Sequence, residues 1–286
     1  MKCMERALKV LKNTINIGLN KPIKLLHITD THICLDDEDT PSERFKCFDN
    51  DFEHCSNIYF EMALEYARDN DLLIIHTGDL FDFLSQKTLD AAKRYLSDAD
   101  YIYAAGNHDF CAAAADMGTG VESEAYKMRN MVRSAPYIKN NLHFYSRLVN
   151  GVNFVALDNS YYLIGEDQLQ MLKYEVAKGY PVVLCMHVPI FTEKLVDKIM
   201  GAGQPCGYCC GASEEYLAKY SESRRLEQMP DVETLHAIDY IRNESAIKLV
   251  IAGHVHDNVE DTITDNLPQL VTHGSFAGFV REITLT

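Results

Sequence analysis

The sequence predicts an α/β fold whose central element is a parallel β-sheet. Three short apolar runs, at residues 24–29, 72–75 and 101–104, have the length and composition of buried strands. The segments between them, residues 51–69 and 87–98, carry apolar residues at helical spacing. Because strands that alternate with helices in this way form βαβ units, we expect the three strands to lie parallel.

The second half of the chain continues this alternation and ends in a series of strands. Further strands are predicted at 142–148, 152–157, 181–186 and 247–252, with helices at 166–178 and 232–243, and two or three antiparallel strands at 258–263, 268–273 and 279–285. We expect one domain over residues 1–286. An irregular insertion or lid at about 200–231 interrupts it, beginning with the glycine-rich residues 201–207.

Composition and charge narrow the possible classes of partner. The chain has 27 basic and 42 acidic residues, a net charge of −15, and such a surface repels a polyphosphate backbone. Nucleic acid is therefore disfavoured as a partner. No run of 18 apolar residues occurs, which predicts no membrane span. The nine scattered cysteines suit a reducing compartment, and the first residues lack the pattern of a signal peptide, so a cytoplasmic location is expected.

Five short motifs follow predicted strands, in order along the chain. They are Asp30-Thr31-His32, Gly78-Asp79, Gly106-Asn107-His108-Asp109, His187 and Gly253-His254-Val255-His256. Each alone is a weak signal, because aspartate, asparagine and histidine are common in the turns after strands. Five such motifs at strand ends are much harder to obtain by chance, and the carboxyl ends of strands are where ligands bind in open α/β sheets.

The motifs closely resemble the signature of the calcineurin-like metallophosphoesterases, which runs D-x-H, G-D, G-N-H-D/E, H and G-H-x-H. The resemblance implies a four-layer α/β sandwich of two mixed β-sheets flanked by helices, with a dinuclear metal centre. It also implies a ligand set. Asp30, His32 and His256 would hold one metal ion, Asp79 would bridge, and Asn107, His187 and His254 would complete the second site.

The residue types of this set are chemically consistent with two divalent or trivalent metal ions. Carboxylate, amide and imidazole ligands suit Mn²⁺, Fe²⁺/Fe³⁺ or Zn²⁺. A water shared between the two metals becomes a hydroxide near neutral pH, which supplies a nucleophile. By the same resemblance His108 lies beside the metals, as a hydrogen-bond donor or general acid, and Asp109 orients its ring.

Other candidate residues have a structural and a functional interpretation. Histidines 27, 54, 76, 143, 236 and 273 are taken as structural or surface residues, although His76 could support the metal ligands and His273 could line the pocket.

Cys206, Cys209 and Cys210 lack a second cysteine pair for a zinc site, which favours an oxidation-prone thiol cluster. The acidic run 36–39 is interpreted as a solvated loop with a helix-capping role, although it could attract a further metal ion, and residues 157–160 are placed outside the metal shell. Arg224 and Arg225 are solvated or contact a substrate phosphate, and Tyr161 and Tyr162 stack on a leaving group or pack the core.

The predicted function is hydrolysis of a phosphomonoester or phosphodiester of a small substrate, nucleotide-like or otherwise. A nuclease of the same superfamily is the first alternative, and the excess of acidic residues counts against it. A non-catalytic protein-binding scaffold is the second, and the complete set of signature residues counts against that. A lipid-sugar pyrophosphatase stays open and would require an apolar groove under residues 200–231.

Overall fold

A computed structural model of the protein describes residues 6–35, 56–111 and 124–286. Within these ranges the chain forms two mixed β-sheets. The acidic run 36–39 and His54 lie outside the described residues, as do the first five residues of the helix predicted at 51–69.

The first sheet has the strand order β1-β11-β2-β3-β4. Its strands are β1 (Lys9–Ile15), β2 (Ile23–Ile28), β3 (Leu73–His76), β4 (Tyr101–Tyr103) and β11 (Phe279–Leu285). Strands β2, β3 and β4 are parallel, as the βαβ pattern predicts. The last strand of the chain, β11, lies antiparallel to β2 and parallel to β1.

The second sheet has the order β5-β6-β7-β8-β10-β9. Its strands are β5 (Phe144–Val149), β6 (Val152–Leu157), β7 (Val182–Cys185), β8 (Ile247–Ala252), β9 (Val259–Thr264) and β10 (Leu267–Val271). The four central strands are parallel, and the two edge strands β5 and β9 are antiparallel to their neighbours.

Eight α-helices accompany the sheets in the described ranges. They are α1 (Ser56–Asp69), α2 (Gln86–Leu96), α3 (Glu124–Ser134), α4 (Glu166–Val176), α5 (Glu193–Gly201), α6 (Glu214–Leu217), α7 (Glu222–Gln228) and α8 (Val232–Asn243). Side-chain hydrogen bonds cap the N-terminal ends of several helices. Ser85 accepts from the Thr88 amide before α2, and Asp231 accepts from the Thr234 amide before α8.

Three apolar cores separate the layers. Because neighbouring side chains of a strand point to opposite faces, Leu25 and Val183 lie between the two sheets, while the next residues, Leu26 and Leu184, face away from that core. The Leu26 core packs against α1 and α2, and the Leu184 core packs against α4, α5 and α8. This arrangement confirms the predicted four-layer α/β sandwich of two mixed sheets flanked by helices.

Some elements differ from the sequence prediction. Strand β1, helix α3 and the helices α5, α6 and α7 were not predicted, and the last two lie within the irregular segment 200–231. Strand β1 is an edge strand whose residues are exposed or only half-buried, so its apolar pattern is weak. In the described parts of the chain, no helix combines the length and apolarity that a bilayer crossing requires.

The outer edge of β4 is closed by a side chain instead of another strand. Asn140 accepts a hydrogen bond from the Tyr103 amide at 2.9 Å and donates one to the Tyr103 carbonyl, also at 2.9 Å. The Asn140 side chain therefore copies the pairing of a neighbouring strand, and both Asn140 and Tyr103 are buried. It satisfies two backbone groups that would otherwise be orphaned at the sheet edge.

We expect Asn140→Ala to lower the free energy of unfolding by about 2 kcal/mol or more, because it leaves two buried backbone groups without partners. Asn20→Ala is the matched control, since Asn20 is exposed and its effect should stay within about 0.5 kcal/mol. Urea unfolding followed by circular dichroism measures both. Equal stabilities of the two variants would contradict this account of the β4 edge.

Candidate metal centre

The predicted site residues meet at the carboxyl ends of strands from both sheets. Asp30 follows β2, Asp79 follows β3 and Asn107 follows β4, whereas His187 and His254 follow β7 and β8 of the second sheet. Since parallel strands end on the same edge, the two sheets bring the motif side chains into one cleft. The five motifs are thus gathered by strand topology and not by sequence proximity.

One cluster of potential ligand atoms consists of Asp30, His32 and His256, whose ligand atoms lie within 4.8 Å of one another. His256 Nε2 is 3.2 Å from Asp30 Oδ1 and 3.4 Å from His32 Nε2. Asp30 and His32 are buried, while the side chain of His256 is 38% exposed. This side of the centre is therefore the one open to solvent.

A second cluster consists of Asp79, His187 and His254, again within 4.8 Å. His187 Nε2 lies 3.3 Å from Asp79 Oδ2 and 3.2 Å from Asn107 Oδ1, and His254 Nδ1 lies 3.1 Å from His187 Nε2. Asp79 Oδ2 is also 3.8 Å from His32 Nε2, so its carboxylate lies between the two clusters. This is the position that a bridging ligand needs.

The potential ligand atoms of the two clusters suit a bound cation better than they suit contacts with one another. Asp30 Oδ1 is buried, and its one close polar contact, His256 Nε2 at 3.2 Å, lacks hydrogen-bond geometry, so an ionised oxygen there carries a large desolvation cost. The nitrogens of His32 and His256 face each other, as do those of His187 and His254, so lone pairs meet unless a proton or a cation intervenes. Two metal ions held by these residues would satisfy all of these atoms.

The backbone at the site adopts a conformation that side chains rarely tolerate. Five of the seven predicted ligands have positive φ, between 48° and 70°: Asp30, His32, Asp79, His254 and His256. A left-handed conformation costs roughly 1–3 kcal/mol for each non-glycine residue, and it persists only where the surroundings enforce it. The clustering of this strain at one place indicates a functional site.

The motif glycines allow the loops to approach each other. A Cβ on Gly106 would overlap Asp79, and a Cβ on Gly78, whose φ is +92°, would lie 2.7 Å from the Gly106 Cα. A Cβ on Gly253 would overlap Thr29 and lie 2.5 Å from Asp30 Oδ2. Glycine in the second, third and fifth motifs therefore serves close packing around the carboxylates.

The buried carboxylates dominate the electrostatics of the centre. Burial alone would raise the pKa of Asp79, but the neighbouring His187 and His108 hold it well below its usual range. Burial alone would lower the pKa of His187, but the Asp79 carboxylate raises it to about 9. Burial and the charge of His187 lower the pKa of His254 to about 3. The carboxylates thus attract positive charge, on an imidazole or on a cation.

The structure corrects the expectation that Asp109 orients the His108 ring. His108 Nδ1 lies 2.9 Å from the Asp82 carbonyl oxygen and 3.4 Å from Asp82 Oδ1. Asp82 Oδ1 is also 3.2 Å from His32 Nδ1, so Asp82 supports both histidines. His108 begins a 3₁₀ turn that ends at Phe110. In this turn the Asp109 side chain points back under the loop, away from the ring of its neighbour.

Asp109 instead braces the loops that carry Asp79 and Asn107. Its carboxylate accepts hydrogen bonds from the amides of Asp79, Leu80, Phe81 and Gly106 and from the Tyr103 hydroxyl. Burial and the charge of Asp79 raise the pKa of Asp109 to about 6. Asp109 therefore acts on the site through the backbone of residues 79–81 and 106.

Residues from outside the motifs complete the surroundings. The Tyr162 hydroxyl lies 2.8 Å from His254 Nε2, and the Tyr208 ring packs edge-to-face on His254 at 5.9 Å between centroids. The Arg224 guanidinium lies over the Tyr208 ring at 5.4 Å. Sequence reasoning placed Tyr162 either on a leaving group or in the core and missed its contact with His254. Asp82 was also missed, although its place three residues after Asp79 in the Gly78-Asp79 loop is a readable signal.

The remaining histidines divide as follows. His27 belongs to a buried polar network. His76 is hydrogen-bonded to Thr31 Oγ1, and His143 is paired with Asp167 at the surface. His236 is exposed. His273 is half-buried, with its ring 6.5 Å from that of His256, so it lies beside the open side of the centre.

The thiol cluster is not the reactive group that the sequence suggested. Cys206, Cys209 and Cys210 are fully buried, and burial raises the pKa of Cys210 to about 12. The thiolate is the reactive form, so the expectation of an oxidation-prone cluster is wrong. Among the described residues, no group of potential metal ligands includes a cysteine.

The chain resembles known proteins both in sequence pattern and in fold. The family model described as calcineurin-like phosphoesterase matches residues 23–258. No curated protein matches the sequence. The match to the family model identifies the sequence pattern, but it does not identify a substrate.

Several solved structures are similar to this chain. A purple acid phosphatase from yellow lupin seeds is similar with a TM-score of 0.54 at 13% identity, over 91% of this chain and 45% of the lupin chain. A dimetal phosphatase from Danio rerio has a TM-score of 0.48 at 14% identity, over 89% and 88% of the two chains. The phosphopantetheinyl hydrolase from Mycobacterium tuberculosis has a TM-score of 0.46 at 12% identity, over 90% and 91%. Identities this low describe the fold alone.

We expect Gly253→Ala to weaken Mn²⁺ binding and to lower the free energy of unfolding by about 1–3 kcal/mol, because the added methyl group displaces Thr29 and Asp30. Gly201→Ala is the control, since no atom lies within 4 Å of its Cβ position and the residue is helical. Isothermal titration with Mn²⁺ and urea unfolding of the metal-free protein give the two quantities. Wild-type affinity in Gly253→Ala would show that the close approach does not shape the site.

Proposed function

The chain belongs to the calcineurin-like phosphoesterase family, and from this premise we propose that it is a metal-dependent phosphoric ester hydrolase with a small phosphomonoester or phosphodiester substrate. Two ions, of Mn²⁺, Fe²⁺/Fe³⁺ or Zn²⁺, would be its cofactors. Asp30, His32 and His256 would hold one, Asn107, His187 and His254 the other, and Asp79 would contact both.

The observation that carries this proposal is the position of the Asp79 carboxylate between two clusters of ligand atoms. Its Oδ2 is within 4 Å of ring nitrogens from both, at His32 and at His187. Its Oδ1 accepts a hydrogen bond from the His108 amide at 2.8 Å, which fixes the orientation of the carboxylate. A single buried carboxylate shared in this way suits a pair of cations better than one ion.

When bound, two cations would neutralise the phosphoryl oxygens of the substrate and activate a water for attack. The chain's own contribution is to orient the substrate and to handle a proton. Since a carbonyl oxygen only accepts, His108 Nδ1 donates to the Asp82 carbonyl. Burial alone would lower the pKa of His108, but the Asp79 and Asp82 carboxylates raise it to about 9, so the ring carries a second proton, on Nε2. This Nε2 proton is the one that His108 can donate to a phosphoryl or leaving-group oxygen. Asp82 positions this ring, and Asp109 positions the loop beneath it.

The irregular segment supplies the contacts that would select the substrate. Arg224 is half-buried over Tyr208 and keeps one ion pair, with Glu227 at 2.8 Å, so the remaining guanidinium donors can meet an anionic part of the substrate. Its neighbour Arg225 is exposed. We therefore assign the substrate contact to Arg224 and treat Arg225 as solvated.

A second candidate substrate class is an amphiphilic phosphate ester. Four large apolar side chains close to Arg224 in the chain are exposed: Leu226, Met229, Val232 and Leu235. Exposed apolar side chains in α7, in its connection to α8 and in the first turn of α8 would offer an alkyl chain apolar contacts. The nuclease alternative is disfavoured by the net charge of −15, and the scaffold alternative by the complete ligand set.

The function is tested by metal-dependent hydrolysis of a matched aryl phosphodiester, aryl phosphomonoester and long-chain alkyl phosphate. After Mn²⁺ reconstitution we expect the wild type to hydrolyse at least one of them. Asp79→Ala should be inactive and should bind neither ion, because both clusters lose their shared ligand. A wild-type protein that binds two ions and hydrolyses none of the three esters would favour the scaffold over the enzyme.

We expect His108→Ala to retain both ions and to lose about 10²–10⁴-fold in kcat, with the larger loss on esters of poor leaving groups, since it removes a proton donor. His143→Ala is the control, because His143 is paired with Asp167 at the surface. Metal content and kcat are measured on the same preparations. Full activity of His108→Ala on an alkyl ester would refute this role.

A further inference from the structure

In three of the predicted histidine ligands, one ring nitrogen faces the metal centre and the other contacts a neighbouring group. The chemical type of this group differs from one histidine to the next. The holders are the Asp82 carboxylate for His32 (3.2 Å), the Thr77 carbonyl for His187 (2.6 Å) and the Tyr162 hydroxyl for His254 (2.8 Å). A carbonyl or an ionised carboxylate only accepts, so it fixes which nitrogen carries the proton. A hydroxyl can also donate, which makes the contact at His254 different in kind.

The His254 ring is placed so that Nδ1 faces the centre. This nitrogen lies 3.1 Å from His187 Nε2, and His187 Nε2 is 3.3 Å from Asp79 Oδ2. For Nδ1 to bind a cation, the neutral ring must carry its proton on Nε2, and the group facing Nε2 is Tyr162 Oη. If the hydroxyl donated instead, the proton would sit on Nδ1 and block the ligand position.

Tyr162 is held firmly by contacts that do not involve His254. Its amide donates to the Asn159 carbonyl at 2.8 Å, and its own carbonyl accepts from Cys210 Sγ at 3.2 Å. Cys210 is in turn paired through its backbone with residues 189–191. The Tyr162 side chain is buried and its φ is 65°, a strained conformation that these contacts maintain.

We infer that Tyr162 is a positioning residue for the metal centre. Its hydroxyl oxygen accepts the Nε2 proton of His254 and so directs an unprotonated Nδ1 at the ion that Asp79, Asn107 and His187 would hold. The irregular segment takes part in this, because Cys210 holds the Tyr162 backbone and Tyr208 also packs against the His254 ring. The inference rests on the proposed function, since it presupposes that a cation binds there.

The test is the removal of the hydroxyl alone, in Tyr162→Phe. We expect one of two Mn²⁺ ions to bind with wild-type affinity and the other about 10- to 100-fold more weakly, because the loss of such an outer contact typically has this effect on metal affinity. The absorption bands of Co²⁺ at the second site should change as well. Tyr216→Phe is the matched control, since it also removes a hydrogen-bonded hydroxyl, 2.9 Å from Asp197 and away from the motifs.

Two further readouts separate positioning from a merely structural role. The ¹⁵N shifts of the His254 ring should show Nε2 protonated and Nδ1 bound in the Zn²⁺-loaded wild type. Unchanged affinity for both ions in Tyr162→Phe, or a proton on Nδ1 in the Zn²⁺-loaded wild type, would overturn the inference while leaving the proposed function intact. A wild-type protein that binds no divalent cation would overturn both.

Discussion

The burial of two carboxylates between the ends of two sheets is the constraint on which the site depends. An ionised carboxylate away from water is unfavourable unless hydrogen bonds and positive charge compensate it. Asp79 Oδ1 receives the His108 amide, and Asp30 Oδ2 receives the Thr29 hydroxyl and the His254 amide. To bring these donors close, the loops adopt left-handed backbone at the ligands themselves and need glycine where they touch. The strain is sustained because the strands on which the loops sit are packed into three apolar cores.

The last strand of the chain is connected to the same site by buried hydrogen bonds. In the first sheet, β11 carries Arg281 between the two sheets, where its Nε donates to the Thr272 hydroxyl at 2.9 Å. His27 then joins Thr272 to the Thr77 hydroxyl, with 2.8 Å at each ring nitrogen, and the Thr77 carbonyl accepts from His187 at 2.6 Å. A buried chain of hydrogen bonds thus runs from Arg281 of β11 to the predicted ligand His187. It ties the relative position of the sheets to the geometry of the metal centre.

The sequence predicted those features that depend on local residue patterns or on the order of the strands along the chain. Helix 232–243 and strand 247–252 have the predicted ends, because apolar periodicity and an aspartate cap mark them. Helix α5 was missed although Thr192 caps it and Leu195, Val196 and Ile199 form its buried face, so its signals were readable. The sheet to which β11 belongs was not readable, because pairing partners far apart in the chain leave no trace in one sequence.

The site was predicted as a set of residues but not as a set of contacts. The seven proposed ligands do converge, since each follows a strand whose end lies on the same edge. The role of Asp109 was misassigned because adjacency to His108 suggested a contact, whereas a 3₁₀ turn separates the two side chains. Tyr162 reaches His254 only through the tertiary fold, and no spacing rule predicts that contact, whereas the position of Asp82 close to Asp79 was a signal in the sequence.

The ligands of the Asp79, His187 and His254 cluster are supported in different ways, and this difference bears on how each can change. Around Asp79 and His187 the supports are backbone groups and the Asp109 carboxylate, which change little when side chains nearby change. Around His254 the supports are the side chains of Tyr162 and Tyr208, backed by the buried Cys210. Since burial keeps that thiol neutral, the cysteine-rich loop acts here through packing and not through sulfur chemistry. The same segment carries Arg224, so the elements that would select a substrate are mechanically joined to one metal ligand, His254. Changes in Tyr208 should therefore alter metal binding and substrate choice together.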